Sequence, residues 1–150
     1  MAKPKTGKGF SIYLQADAMR KLQERSLNGE PVGFLANREV NRLYAMYADA
    51  LQEIRLTECE ATFLVDILNS SIMDEVSCRM FWASVEDACR LDHTHEKYNL
   101  DAKEIVDKVR GFNILQLMAI VDAGDRFWSL EDDVRNEDMV GNVKRLFAIK

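Results

Sequence analysis

Apolar residues recur along this chain with two different periods. Between Phe10 and Gln15 the period is two: Phe10, Ile12 and Leu14 alternate with Ser11, Tyr13 and Gln15, the pattern of a short strand with one buried face. It is the one strand the pattern predicts. A lone strand leaves its backbone groups unpaired, and the same strand of another copy is the partner that satisfies them. From Ala16 onward the period is helical. A first helix runs from Ala16 to about Leu27, with Met19 and Leu22 on one face and Arg20, Lys21, Glu24 and Arg25 elsewhere. Asn28-Gly29 supplies its stop, and Pro31 and Gly33 mark a loop. Next, Val40, Leu43, Tyr44, Tyr47, Leu51 and Ile54 fall at i, i+3, i+4, i+7, i+11 and i+14. That spacing predicts an amphipathic helix with Asn37 as its N-cap.

Past Arg55 the helix starts are signposted by capping-box spacings. Thr57-x-x-Glu60 precedes Phe63, Leu64, Ile67 and Leu68; Asp101-x-x-Glu104 opens Ile105, Val106 and Val109; Asn113-x-x-Gln116 opens Leu117, Ile120 and Val121. Each offers a side-chain acceptor to unpaired N–H groups of a first turn. A helix is predicted over Glu75–Leu91 and a last one near Asp138–Phe147, giving one strand followed by about seven helices. An eight-residue echo links residues 61–68 with 117–124, the trace a duplicated helical unit would leave.

Composition narrows the class. The 150 residues are 47% apolar and 30% charged with 7 glycines and 2 prolines, which excludes a disordered or collagen-like chain. No apolar run is long enough to span a membrane, and no apolar targeting segment follows Met1. Three scattered cysteines suit a reducing compartment, so the expected location is the cytoplasm. The net charge of −5 hides an asymmetry. Residues 1–45 hold eight Lys/Arg against four acids, and residues 46–150 hold twelve against twenty-one. A basic front on an acidic rear is what a protein that touches phosphate with one end shows. Met1–Gly9, with Lys3, Lys5, Lys8, a proline and two glycines, reads as a mobile arm.

The arm, the alternating segment and two helices divided by a Gly/Pro loop together resemble the ribbon-helix-helix family of DNA-binding proteins. The matching residues are Lys8-Gly-Phe-Ser-Ile-Tyr-Leu-Gln15, Ala18-Met-Arg-Lys-Leu22 and Asn37-Arg-Glu-Val-Asn-Arg-Leu-Tyr44. The Ser-Ile-Tyr-Leu core is similar to the Ser-Val-Tyr-Leu that many such strands carry. The resemblance covers about residues 8–54. The loop from Asn28 to Ala36 is longer than the family's usual turn, and no Arg or Lys stands at the outward strand positions.

What the resemblance implies is a mainly α protein. Residues 1–55 would form the ribbon-helix-helix module, one strand and two helices with a dimeric ribbon, and residues 56–150 an acidic helical domain. Two antiparallel strands make a ribbon narrow enough for the major groove of double-stranded DNA. Ser11, Tyr13 and Gln15 would then read bases, with Gln15 suited to adenine. Phe10, Ile12, Leu14, Val40, Leu43, Tyr44 and Tyr47 would form the dimer core. Lys3, Lys5, Lys8 and the start of the second helix, with the Asn37 cap, Arg38 and Arg42, would hold phosphates. The implied function is sequence-specific DNA binding as a homodimer or higher even oligomer, as a repressor or a mobile-element accessory factor. The alternative is an adaptor or inhibitor whose acidic helical domain takes a protein partner.

Other chemistry has blander readings. Cys78, Cys89, His93 and His95 fit no common zinc spacing, and two cysteines eleven apart on one helix lie about 16 Å apart. No metal or cofactor is expected. The acidic run at Glu131-Asp132-Asp133 reads as a solvated loop or a helix start. Phe81-Trp82 and Phe127-Trp128 read as core and near-core packing. No nucleophile elbow, P-loop or dinucleotide fingerprint is present, so the reading is of a binding protein and not an enzyme.

Overall fold

Nine α-helices and one 3₁₀ turn make up the regular structure in the residues that the computed structural model describes, 13–68 and 75–150. The helices are α1 (Ala16–Glu24), α2 (Val32–Ile54), α3 (Glu58–Ile67), α4 (Glu75–Arg79), α5 (Phe81–Arg90), α6 (Ala102–Arg110), α7 (Ile114–Trp128), α8 (Asp132–Glu137) and α9 (Met139–Leu146), with the 3₁₀ turn at Thr94–Tyr98. The protein is mainly helical, as the periodicity predicts. The described residues contain no strand; Phe10, Ser11 and Ile12 of the expected ribbon lie outside them.

The capping spacings act where they were read. Thr57 Oγ1 accepts from the Glu60 N–H and the Glu60 carboxylate accepts from the Thr57 N–H, at 3.2 and 2.8 Å. Asn113 and Gln116 exchange the same pair at 2.9 Å each. Asp101 caps α6 through the Glu104 N–H at 2.9 Å. Each side chain satisfies N–H groups that the first turn leaves unpaired.

Three boundaries differ from the prediction. α1 ends at Glu24, three residues early, because a hydrogen-bonded loop takes over at Ser26. α2 begins at Val32, not after Asn37. The Pro31 carbonyl accepts the first helical bond from Leu35 N at 3.1 Å, and a proline costs nothing where its N–H would be unpaired anyway. The helix predicted over Glu75–Leu91 breaks at Met80 (φ −91°, ψ 4°). The break leaves Met80 half exposed while Cys78 and Phe81 on either side are buried.

The chain divides into two compact units, one ending at Leu43 and one running from Tyr44 to Lys150. This division lies within α2, whereas the boundary that the resemblance implies, between 55 and 56, lies just past the end of that helix. In the second unit α5 packs on α6, α3 on α9, and α7 on both α4 and α9. Its core holds four fully buried phenylalanines from four elements, Phe63, Phe81, Phe127 and Phe147. At roughly 1.5–3 kcal/mol each they outweigh surface ion pairs worth about 0–1 kcal/mol. The echoed segments meet in this core, where a methyl group at Gly124 of α7 would lie 2.6 Å from Leu68 Cδ1 and 3.2 Å from its Cβ.

Candidate nucleic-acid interface

The chain enters α1 in extended backbone. Tyr13 is 93% exposed, Leu14 is half-buried and Gln15 is exposed. Gln15 occupies the N-cap of α1, yet its amide makes no capping hydrogen bond. Of the predicted contact residues, Ser11, Phe10, Ile12, Lys3, Lys5 and Lys8 lie outside the described residues.

The loop from α1 to α2 is organised by a residue the periodicity did not single out. Glu30 accepts from Ser26 Oγ at 2.7 Å and from the Leu27 and Asn28 N–H groups at 3.1 Å each. Gly29 N donates back to Ser26 Oγ at 2.9 Å, and Gly29 takes the left-handed conformation (φ 68°) that glycine accepts without strain. Hydrogen bonds to the charged form, from Ser26 first and then the loop amides, hold the Glu30 carboxyl down at about 2. A glutamate four residues past a serine, across a Gly-containing loop, is a signal that could have found it.

Among the described residues of this unit, most cations are paired. Arg20 pairs with Asp17 and Glu24 at 2.6 and 2.5 Å, Lys21 with Asp17 at 2.8 Å, and Arg25 with Glu39 at 3.0 Å. Lys21 and Arg20 hold the Asp17 carboxyl below its ordinary range, and Arg25 does the same for Glu39. Arg38 donates to the Arg25 carbonyl at 2.7 Å and reaches Glu30 at 3.3 Å, and its side chain is only 16% exposed. It is therefore a tie between α2 and the loop, not a free phosphate ligand. Asn37 stands in the second turn of α2 and caps nothing. The first turn of α2 therefore begins at Val32, six residues before the Arg38 that would follow an Asn37 cap. Arg42 remains available: it is half exposed and held only by Glu39 at 3.4 Å.

Residues 13–43 thus carry five cations and four acids, and the positive excess of the N-terminal part resides in Lys3, Lys5 and Lys8. Exposed pairs of the Asp17–Arg20 kind are worth little.

Of the expected dimer core, Val40, Leu43 and Tyr44 are 49%, 42% and 51% exposed, whereas Tyr47 is buried in the core of the second unit. Comparison with protein-family models, characterised proteins and solved structures gives no match. The functional reading therefore rests on the residues themselves.

The second unit carries the negative charge. Asp66, Asp87 and Asp92 line one open groove with Ser84 and Thr94. Asp66 accepts from the Tyr98 hydroxyl and from Lys97, and burial with Asp66 beside it pushes the Tyr98 phenol up. Burial also raises Asp122 and Asp125 of α7, which share a small cavity with Tyr47 and Cys78. Among the described residues no three His, Cys, Asp or Glu side chains gather in a way that would hold a metal ion. Cys78 and Cys89 are buried and Cys59, in the first turn of α3, is exposed. Each tryptophan is half-buried under an arginine, Arg110 4.3 Å over Trp82 and Arg135 5.0 Å over Trp128. Trp128 Nε1 donates to the Val65 carbonyl at 2.9 Å. The acidic run opens α8, with Asp132 and Asp133 in its first turn, where the helix dipole favours them. No described helix is long and apolar enough to cross a membrane.

Proposed function

We propose that the chain binds double-stranded DNA as a dimer, with its N-terminal segment as the reading element and the ribbon-helix-helix arrangement as its architecture. The observation that carries this reading is the parity at the entry to α1. Tyr13 and Gln15 are exposed and Leu14 between them is half-buried, so the two polar side chains assigned to base edges stand on the open side. An unused glutamine amide there is suited to the paired donor and acceptor of adenine. The helix–loop–helix order that follows supports the same reading.

Titration of a specific and a random duplex at several salt concentrations tests it. Gln15→Ala is expected to cut discrimination between duplexes by roughly 1–3 kcal/mol with folding unchanged. Arg42→Ala is expected to weaken both duplexes equally and to lower the salt slope by about one unit. Replacing Lys3, Lys5 and Lys8 together should lower it further. A folded dimer that binds neither duplex at low salt overturns the reading. The favoured alternative is then a protein-binding adaptor, for which the Asp66–Asp87–Asp92 groove offers a surface to a basic partner.

A further inference from the structure

We propose that the groove between α5 and α6 is a binding site for a small carboxylic acid with an apolar body, its carboxylate held by Arg110 and its body laid on Cys89, Ala102 and Val106. The site lies within the second unit and does not rest on the DNA reading.

Both helices are amphipathic. Phe81, Val85 and Cys89 of α5 recur every four residues and are buried, as are Ile105, Val106 and Val109 of α6. Toward the open side of their contact the side chains are small. Cys89 and Val106 are 5% and 8% exposed and Ala102 is half-buried. These three form the floor of a cavity of about 310 Å³, near the lower end of the range for ligand pockets, about 300–1,000 Å³. Burial pushes the Cys89 thiol up, so the floor carries no charge at neutral pH.

The rim is charged, with Arg90, Lys103 and Arg110 against Glu86 and Asp107. That is an excess of one cation in a unit whose net charge is −9. Two of the three cations are occupied: Arg90 donates to Asp87 at 3.0 Å and Lys103 to Asp107 at 2.6 Å. Arg110 is not. Among the described residues it makes no hydrogen bond, and Glu86 stands 3.8 Å from it, beyond hydrogen-bond reach. What fixes Arg110 is Trp82, whose ring centre lies 4.3 Å from the guanidinium. Stacking engages the guanidinium face and leaves its N–H fork free, and that fork matches the two oxygens of a carboxylate.

An uncharged floor beside one pre-set, unused guanidinium selects a ligand with both an apolar and an anionic part. A neutral molecule leaves the fork empty, and a bare anion such as acetate leaves the floor uncovered. In a unit of net −9 each further negative charge on the ligand is repelled, which favours a single carboxylate over a phosphate dianion. The size of the cavity favours a free acid over the end of a polypeptide.

NMR titration of the full chain with benzoate tests the proposal. The expected result is a saturable shift of the Cys89, Ala102 and Val106 amides and of the Trp82 indole N–H. Benzamide, which lacks the charge, and acetate, which lacks the body, should each bind about tenfold more weakly or worse. Arg110→Gln should weaken benzoate by about tenfold or more with the fold intact, since Arg110 is half exposed and outside the core. Glu86→Gln removes the neighbouring carboxylate and should tighten it. Ala102→Leu, which fills the groove and keeps Arg110, should abolish it. No saturable shift, or benzamide binding as well as benzoate, overturns the proposal. So does benzoate binding indifferent to Arg110→Gln or to Ala102→Leu, or weakened by Glu86→Gln, which would place the anion on other cations. An amino-blocked peptide ending in phenylalanine carries the same chemistry at a chain terminus. Weaker binding than benzoate is expected of it, and tighter binding would overturn the assignment to a free acid.

Discussion

Glu30 shows how much of a local structure one side chain can hold. Its carboxylate gathers a hydroxyl, two loop amides and the Arg38 guanidinium. The charged form is the one that bonds them all, which keeps its pKa at about 2. Because the folded value lies below the ordinary carboxylate value, the stabilisation is complete above that ordinary value and is lost as pH falls toward 2. In an NMR titration the Leu27 and Asn28 amide shifts should move together with a midpoint near 2. In Glu30→Gln they should lose that transition, and the Arg38 contact should weaken. A midpoint in the ordinary carboxylate range would show that the loop does not depend on the charge. Little of this was legible beforehand. Periodicity finds apolar faces, while Glu30, Ser26 and Arg38 work through hydrogen bonds that only the folded loop brings together. The same limit hid the role of Arg38, which as a sequence feature is simply a cation near a helix start.

At the level of elements, the sequence was most legible where a side chain caps its own helix. Thr57, Asp101 and Asn113 fix the starts of α3, α6 and α7 through bonds spanning three residues, a range short enough to read from spacing. It was least legible where two signals conflict. Pro31 and Gly33 are loop formers by composition, yet a proline ahead of a first turn is compatible with a helix, and α2 starts there. Between Glu75 and Leu91 the apolar pattern runs unbroken, and the break at Met80 follows from seating both Cys78 and Phe81 in the core. Packing between elements also explains a glycine. α7 approaches Leu68, at the end of α3, so closely that a methyl group at Gly124 would press on the Leu68 Cβ as well as its mobile Cδ1. Gly124→Ala should therefore destabilise the protein by about 1–2 kcal/mol, the crowding in a tight core exceeding the gain in helix propensity. Urea unfolding monitored by circular dichroism measures it, and an unchanged or raised midpoint would mean that Leu68 moves aside freely.

For the whole molecule, charge is the property that sequence and structure divide differently. Composition assigns a basic front of 45 residues, but in the structure residues 13–43 are nearly balanced and laced with ion pairs. The excess therefore sits in three lysines ahead of Phe10. The second unit, from Tyr44 onward, carries a net −9 and repels phosphate over a distance that salt shortens to about 10 Å at 0.1 M. Along the chain, a short cationic lead precedes a nearly balanced segment, and the acidic excess follows it. That division was visible in the sequence only as a sum, because pairing is a matter of which side chains reach each other.

The three cysteines give the molecule a built-in clock for its own opening. A folded chain should consume one equivalent of a maleimide quickly, at Cys59, and two more only as fast as the core around Cys78 and Cys89 breathes. These two thiols lie in α4 and α5, on either side of the break at Met80. Pulsed labelling with mass detection should therefore resolve whether α4 detaches before α5 or the two open in one step. If a second thiol reacts at a rate independent of urea while the third tracks global unfolding, α4 opens as a separate unit.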